Sequence, residues 1–152
     1  FGGATILIVL TAMLIGIIKD KKIGISIFAN LGIITVLNQL LKQILQRPRP
    51  TEYRIIEESG YSFPSGHSMV SMAFYGYLIY LIYKHIENKY LKWTLISILS
   101  ILIILIGISR IYLGVHYTSD VLAGFLISIS YLIAFVHAVN KMLESDKNGF
   151  EK

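Results

Sequence analysis

Residues 91–108 read LKWTLISILSILIILIGI, and beyond Lys92 nothing in the stretch carries a charge. Isoleucine at this density favours strands in water. In hydrocarbon, however, a lone crossing segment has to satisfy its own backbone, which a helix does and a single strand does not. At about 1.5 Å of rise per residue, such a helix comes close to crossing a hydrocarbon core of about 30 Å. A membrane β-barrel would need alternating polarity, and there is none here. Working outward, four more blocks have the same character: Phe1–Ile18, Ile23–Leu41, Ser68–Tyr83 and Val121–Val139, divided by short charged breaks. The 152 residues are 55% hydrophobic and 15% charged, against about a quarter charged in soluble domains. A soluble globule and a disordered chain are both excluded. The expected architecture is an all-α, multi-pass transmembrane helical bundle, with five helices in a single domain spanning residues 1–152. Zero cysteines exclude a disulfide scaffold, a zinc ribbon and a thiol nucleophile.

The net charge of +5 means less in such a chain than where the charges lie, and no nucleic-acid partner is expected. Five crossings put Lys19–Lys22, Lys84–Lys92 and the tail from Lys141 on one side. The loop 42–67 and the turn 109–120 fall on the other. Nine of the ten lysines lie on the first side, whereas Lys42 and all four arginines (Arg47, Arg49, Arg54, Arg110) lie on the second. The positive-inside rule makes the lysine side cytoplasmic, so loop 42–67 and turn 109–120 are expected on the extracytoplasmic face. Phe1 then starts outside, without methionine or a signal peptide, and Phe1-Gly2-Gly3 reads as an internal entry into a helix. A sixth, N-terminal helix is therefore expected upstream. Gly24, Gly32, Gly76, Gly107 and Gly124 read as close-packing positions between helices.

The polar residues concentrate in those two outer segments. The first holds Lys42, Arg47-Pro48-Arg49-Pro50 and Phe63-Pro64-Ser65-Gly66-His67-Ser68; the second runs from Ser109-Arg110 through His116 to Asp120. Together they supply cations, two histidines, a hydroxyl, a glycine amide and a carboxylate. That inventory suits an anion of several oxygens with nucleophilic attack or proton transfer beside it. His116 and Asp120 are one helical turn apart, close enough for the carboxylate to fix one ring nitrogen and leave the other reactive. The competing reading is that Asp120 simply caps the last helix. Ser65 and Gly66 at a helix start form an anion site if functional, and a plain N-cap if not. Lys42, Arg49 and Arg110 read individually as snorkelling anchors, but anchoring predicts basic residues scattered over both faces. Here every arginine gathers beside both histidines, and its planar fork suits phosphate oxygens.

Lys42 followed by six residues and Arg49-Pro50, then Pro64-Ser65-Gly66-His67, then Ser109-Arg110, five residues, His116, three residues and Asp120 resemble, in order and spacing, the tripartite signature of the type 2 phosphatidic acid phosphatase superfamily. Arg47-Pro48 is a second Arg-Pro pair at the wrong spacing from Lys42, so Arg49 takes the motif position. The resemblance implies a metal-independent, cofactor-free lipid phosphatase that works through a covalent phosphohistidine. It implies His116 as nucleophile, Asp120 as the residue orienting it, and His67 as the acid that protonates the leaving oxygen. Lys42, Arg49, Arg110, the Ser65 hydroxyl and the Gly66 amide would hold the phosphoryl oxygens. Lipid-active members have six transmembrane helices with the catalytic loops on the extracytoplasmic face. Bacterial relatives dephosphorylate undecaprenyl pyrophosphate, phosphatidylglycerol phosphate, phosphatidic acid or diacylglycerol pyrophosphate. The partners implied are thus a phosphorylated membrane lipid and the bilayer, and the Ile- and Lys-rich composition points to a bacterial plasma membrane.

Two other classes compete. A metal-dependent intramembrane hydrolase would use His67, His116 and Asp120 as ligands, although three cations in the same pocket repel a metal. A lipid or anion transporter would place its polar groups near the bilayer midplane rather than at one face. The segment 51–62, with Glu52, Glu57, Glu58, Tyr53 and Tyr61, reads either as a solvated interfacial loop or as a lid that repels stray anions. His85 and His137 fall away from the motifs and read as structural.

Overall fold

The computed structural model describes residues 21–150, with side chains described to residue 143. The block Phe1–Ile18 lies outside the described residues. Four helices follow in order: α1 (Lys21–Leu45), α2 (Gly66–His85), α3 (Lys89–Tyr112) and α4 (Thr118–Phe150). No strand occurs among the described residues. Over this range the four helices correspond to the four apolar blocks expected there; the structure does not show the full count of five.

Each helix begins and ends where local chemistry dictates. The run Arg47-Pro48-Arg49-Pro50 cannot continue α1, because proline removes an amide donor and restricts the residue before it. Ser65 caps α2, its Oγ accepting from the Ser68 amide at 3.4 Å, and Asn88 caps α3 by accepting from the Leu91 amide at 3.1 Å. Between α3 and α4 the chain reverses through Gly114, whose φ of 68° suits a residue without Cβ.

Three of the four helices are long and apolar enough to cross a membrane: α1, α3 and residues 118–143 of α4. The exception is α2, and its position explains why. It packs against all three neighbours, while α3 and α4 meet each other less. Its side chains therefore face protein more than lipid, and Ser68, Met69, Ser71, Ala73, Phe74 and Tyr77 are buried. The core forms where α1 meets α2: Ile27 and Leu31 pack on Phe74 and Tyr77, and Ile34 on Met69 and Ala73. Outward-facing apolar residues such as Ile25, Phe28, Ile33, Ile101, Leu105 and Leu126 are exposed, as expected of a bundle whose solvent is hydrocarbon.

Polar side chains tie these helices together across the interior. Ser26 Oγ and Tyr77 Oη lie 2.8 Å apart, Asn30 Nδ2 donates to the Ala73 carbonyl at 2.9 Å, and Ser128 Oγ donates to the Met69 carbonyl at 3.0 Å. Such bonds hold helices where lipid offers no hydrophobic drive for association. Of the glycines expected at helix contacts, Gly76, Gly107 and Gly124 are in close contact: a Cβ on Gly107 would fall 2.5 Å from the Phe125 ring. Gly32 has open space beside it instead, because it lies on the outward face of α1 with Phe28, Ile33 and Val36.

Candidate active site

The connection between α1 and α2 folds over the turn between α3 and α4, so both motif-bearing segments meet at one end of the bundle. The Ile55 amide donates to the Leu113 carbonyl at 3.1 Å, and the Ser65 amide to the Asp120 carbonyl at 3.1 Å. Gly114 makes the first of these possible, since a Cβ there would collide with the Tyr53 carbonyl.

At the centre stands the His116 imidazole, almost fully buried. Nε2 lies 3.3 Å from Nη1 of Arg49, and Nδ1 lies 3.6 Å from Oδ2 of Asp120. Burial first, then the Arg49 and Lys42 cations, lower its pKa to about 4. The ring is therefore neutral across the physiological range, as a nitrogen nucleophile has to be.

Asp120 is fully buried. Its Oδ2 accepts from the Tyr117 amide at 2.9 Å, closing the first turn of α4 in the manner of a capping box. The carboxylate therefore does cap α4, the competing reading in the sequence, and the same oxygen lies 3.6 Å from the imidazole. His67 stands ahead of the apolar run of α2. Burial and then the Arg110 cation push it below its ordinary value, whereas a bound phosphate would raise it. The charges of Lys42 and Glu58 bear on both imidazoles, so the two histidines share one electrostatic environment.

The cations are held by backbone oxygens. Arg49 Nε donates to the Gly60 carbonyl at 3.0 Å, Nη2 to the Ser59 carbonyl at 3.0 Å and Nη1 to the Val115 carbonyl at 3.0 Å. Lys42 Nζ donates to the Tyr61 carbonyl at 2.5 Å. Arg110, at the end of α3, donates to Ser109 Oγ at 3.2 Å. The Ser65 hydroxyl is buried in its cap, accepting from Ser68 Oγ at 2.9 Å. A Cβ on Gly66 would meet Asn38 Oδ1 at 2.9 Å, so glycine there also makes room for α1.

Three side chains that the motif spacing passed over belong to this site. Glu58 forms an ion pair with Arg49 at 3.1 Å. Arg47 Nη1 donates to Asp120 Oδ1 at 2.8 Å and to Ser119 Oγ at 2.8 Å, with its guanidinium 4.2 Å above the Tyr117 ring. Ser62, fully buried, donates to Asp120 Oδ2. The signal for Arg47 was the second Arg-Pro pair. Among the described residues, no group of three or more His, Cys, Asp or Glu side chains is placed to hold a metal ion.

Residues 23–143, most of the chain, match the PAP2 superfamily. The chain belongs to the PAP2 superfamily. Among its PAP2 relatives, phosphatidylglycerophosphatase B of Bacillus subtilis is 39% identical over 114 residues, covering 74% of this chain and 55% of the relative. An undecaprenyl-diphosphatase of Sulfolobus acidocaldarius is 31% identical over 140 residues, 87% of this chain and 64% of the relative. Sphingosine-1-phosphate phosphatase 1 of the rat is 34% identical over 126 residues, 80% of this chain and 29% of the relative. The chain thus spans 55% and 64% of the two microbial relatives. The crystal structure of a transmembrane PAP2-type phosphatidylglycerolphosphate phosphatase from Bacillus subtilis superposes with a TM-score of 0.78 at 31% identity, over 90% of this chain and 68% of that one. With its apolar helices, the likeness to a transmembrane PAP2 fold makes this a membrane protein.

Proposed function

We propose that the chain is an integral-membrane lipid phosphatase that cleaves a phosphomonoester or pyrophosphate headgroup through a phosphohistidine, without a metal. Undecaprenyl pyrophosphate, phosphatidylglycerol phosphate and phosphatidic acid are its substrate class. It works at the extracytoplasmic face of a bacterial plasma membrane, the face that the arginine and lysine distribution favours. The observation that carries the reading is the 3.3 Å approach of Arg49 Nη1 to His116 Nε2. A guanidinium beside a neutral imidazole nitrogen is arranged for a phosphoryl group held by one and attacked by the other.

In the first step His116 Nε2 attacks phosphorus and the bond to the leaving oxygen breaks, with His67 giving that oxygen its proton. Lys42, Arg49 and Arg110 hold the three equatorial oxygens as charge spreads over them, helped by the amides at the start of α2. In the second step His67, now neutral, takes a proton from water, whose oxygen attacks phosphorus. The P–N bond breaks, inorganic phosphate leaves, and both imidazoles return to their starting states. Asp120 stabilises the positive charge that His116 gains.

The test is phosphate release by detergent-solubilised protein on the three lipids in parallel, with EDTA present and His116→Ala as control. Release that EDTA spares and the substitution abolishes is the expected result, and the ranking of lipids names the substrate. No release from any lipid by folded protein overturns the reading.

A further inference from the structure

His116 Nδ1 and Asp120 Oδ2 are 3.6 Å apart, beyond the reach of a good hydrogen bond. Beside both atoms lies the hydroxyl of Ser62, 3.4 Å from Nδ1 and hydrogen-bonded to Oδ2. We propose that Ser62 is a positioning residue that carries the coupling between His116 and Asp120, with Arg47 holding the far oxygen of the carboxylate. The inference rests on the phosphohistidine reading of the same site.

The geometry accounts for both oxygens of the carboxylate. Asp120 Oδ1 is taken by Arg47, and Oδ2 by Ser62 and the Tyr117 amide. The Ser62 proton is spent on Oδ2, so toward the ring its oxygen acts as an acceptor. Nδ1 must then carry the ring proton, which leaves the lone pair on Nε2, the nitrogen beside Arg49. A hydroxyl in water gives no such preference, but Ser62 and Asp120 are both fully buried and have no solvent to turn to. Arg47 also fixes the serine itself, because its carbonyl accepts the Ser62 amide at 2.8 Å. One arginine thus sets both ends of the bridge, and its stacking on Tyr117 holds it beside the turn that carries His116. A purely structural Ser62, serving only the cap of α4, predicts lost stability with no change in the imidazole.

Nitrogen-15 histidine NMR of the full chain, alongside kcat and KM on the best-cleaved lipid, separates these roles. Wild-type His116 is expected in the Nδ1–H form. Ser62→Ala is expected to shift it toward Nε2–H and to lower kcat about 10- to 100-fold, the scale of a lost charge-assisted hydrogen bond, with KM changed less than about threefold. Arg47→Gln should lower kcat in the same way, and Arg47→Lys should restore part of it. Retention of both the tautomer and kcat in Ser62→Ala overturns the proposal. If that variant does not fold, Ser62→Cys, close in volume and weak as a hydrogen-bonding group, takes its place: a shifted tautomer with lowered kcat supports the bridge, and wild-type values of both overturn it. A wild type that releases no phosphate sinks the phosphatase reading instead, and the tautomer spectra still decide the bridge.

Discussion

The role proposed for His116 depends on its surroundings, and those surroundings can be varied one charge at a time. Its imidazole is expected to titrate near pH 4 rather than near the ordinary histidine value. Arg49→Met removes a neighbouring cation, so it should move that titration upward. Histidine NMR, with His116→Gln to identify the resonance, checks both; titration near pH 6.5 in the wild type contradicts the buried cationic site. The linked stability has a definite sign. Because folding depresses this pKa, the His116 contribution is complete above pH 6.5 and drains away as pH falls toward about 4. Glu58 offers a second test. Its carboxylate pairs with Arg49, where the proposed mechanism puts a phosphoryl oxygen, so on that reading it would compete with free anions. Glu58→Gln is expected to tighten inhibition by inorganic phosphate about tenfold, the scale of one ion pair, while the same change at exposed Glu57 leaves it unmoved. Equal inhibition constants in all three proteins would show that Glu58 does not contend for the site.

At the level of helices and loops, much was legible because the information is local. Pro48 and Pro50 end α1, Ser65 and Asn88 start helices, and the three motifs keep their internal spacing whatever the fold does. What escaped depends on chain segments meeting in space. Arg47 failed a spacing test measured from Lys42, yet its partner is Asp120, 73 residues away. Ser62 is one serine among many until α4 is brought beside it. Gly32 resembled a packing glycine because composition does not say which side of a helix faces lipid. Two substitutions test the contacts that the fold adds. Gly107→Val drives a side chain into Phe125 and should cost about 1–3 kcal/mol, the usual range for overpacking, seen as a lower unfolding temperature in detergent. Gly114→Ala is strained by a positive φ and by the Tyr53 carbonyl. It should loosen segment 51–59 without loosening the helices, so limited proteolysis should cut there while the unfolding temperature stays nearly constant. Cleavage no faster than in wild type would mean that the segment is held by something other than the turn.

For the molecule as a whole, the site lies at one end of the bundle, and the lack of cysteine makes sidedness simple to read. Glu57→Cys and Tyr112→Cys should react with a membrane-impermeant maleimide from the same side, and Glu87→Cys from the opposite one. Labelling of all three from one side would break the expected orientation. The polar groups of the site are drawn inward: Asp120, Ser62 and Ser65 are fully buried there, while the lipid-facing flanks of α1 and α3 carry exposed isoleucines. The candidate site and the lipid-facing surface are thus kept to different parts of the bundle.

The position of α2 bears on how the protein is made. The helix that begins with Gly66-His67 is also the one whose own composition falls short of the apolar length of its neighbours. During synthesis it emerges from the translocon before α3 and α4 exist to surround it, so two of the three helices it packs against are not yet there. Integration of α2 is then a cooperative event, completed as the later segments leave the ribosome. If His67 is the proton donor proposed for it, it reaches its working place only once the last helix of the bundle has been delivered.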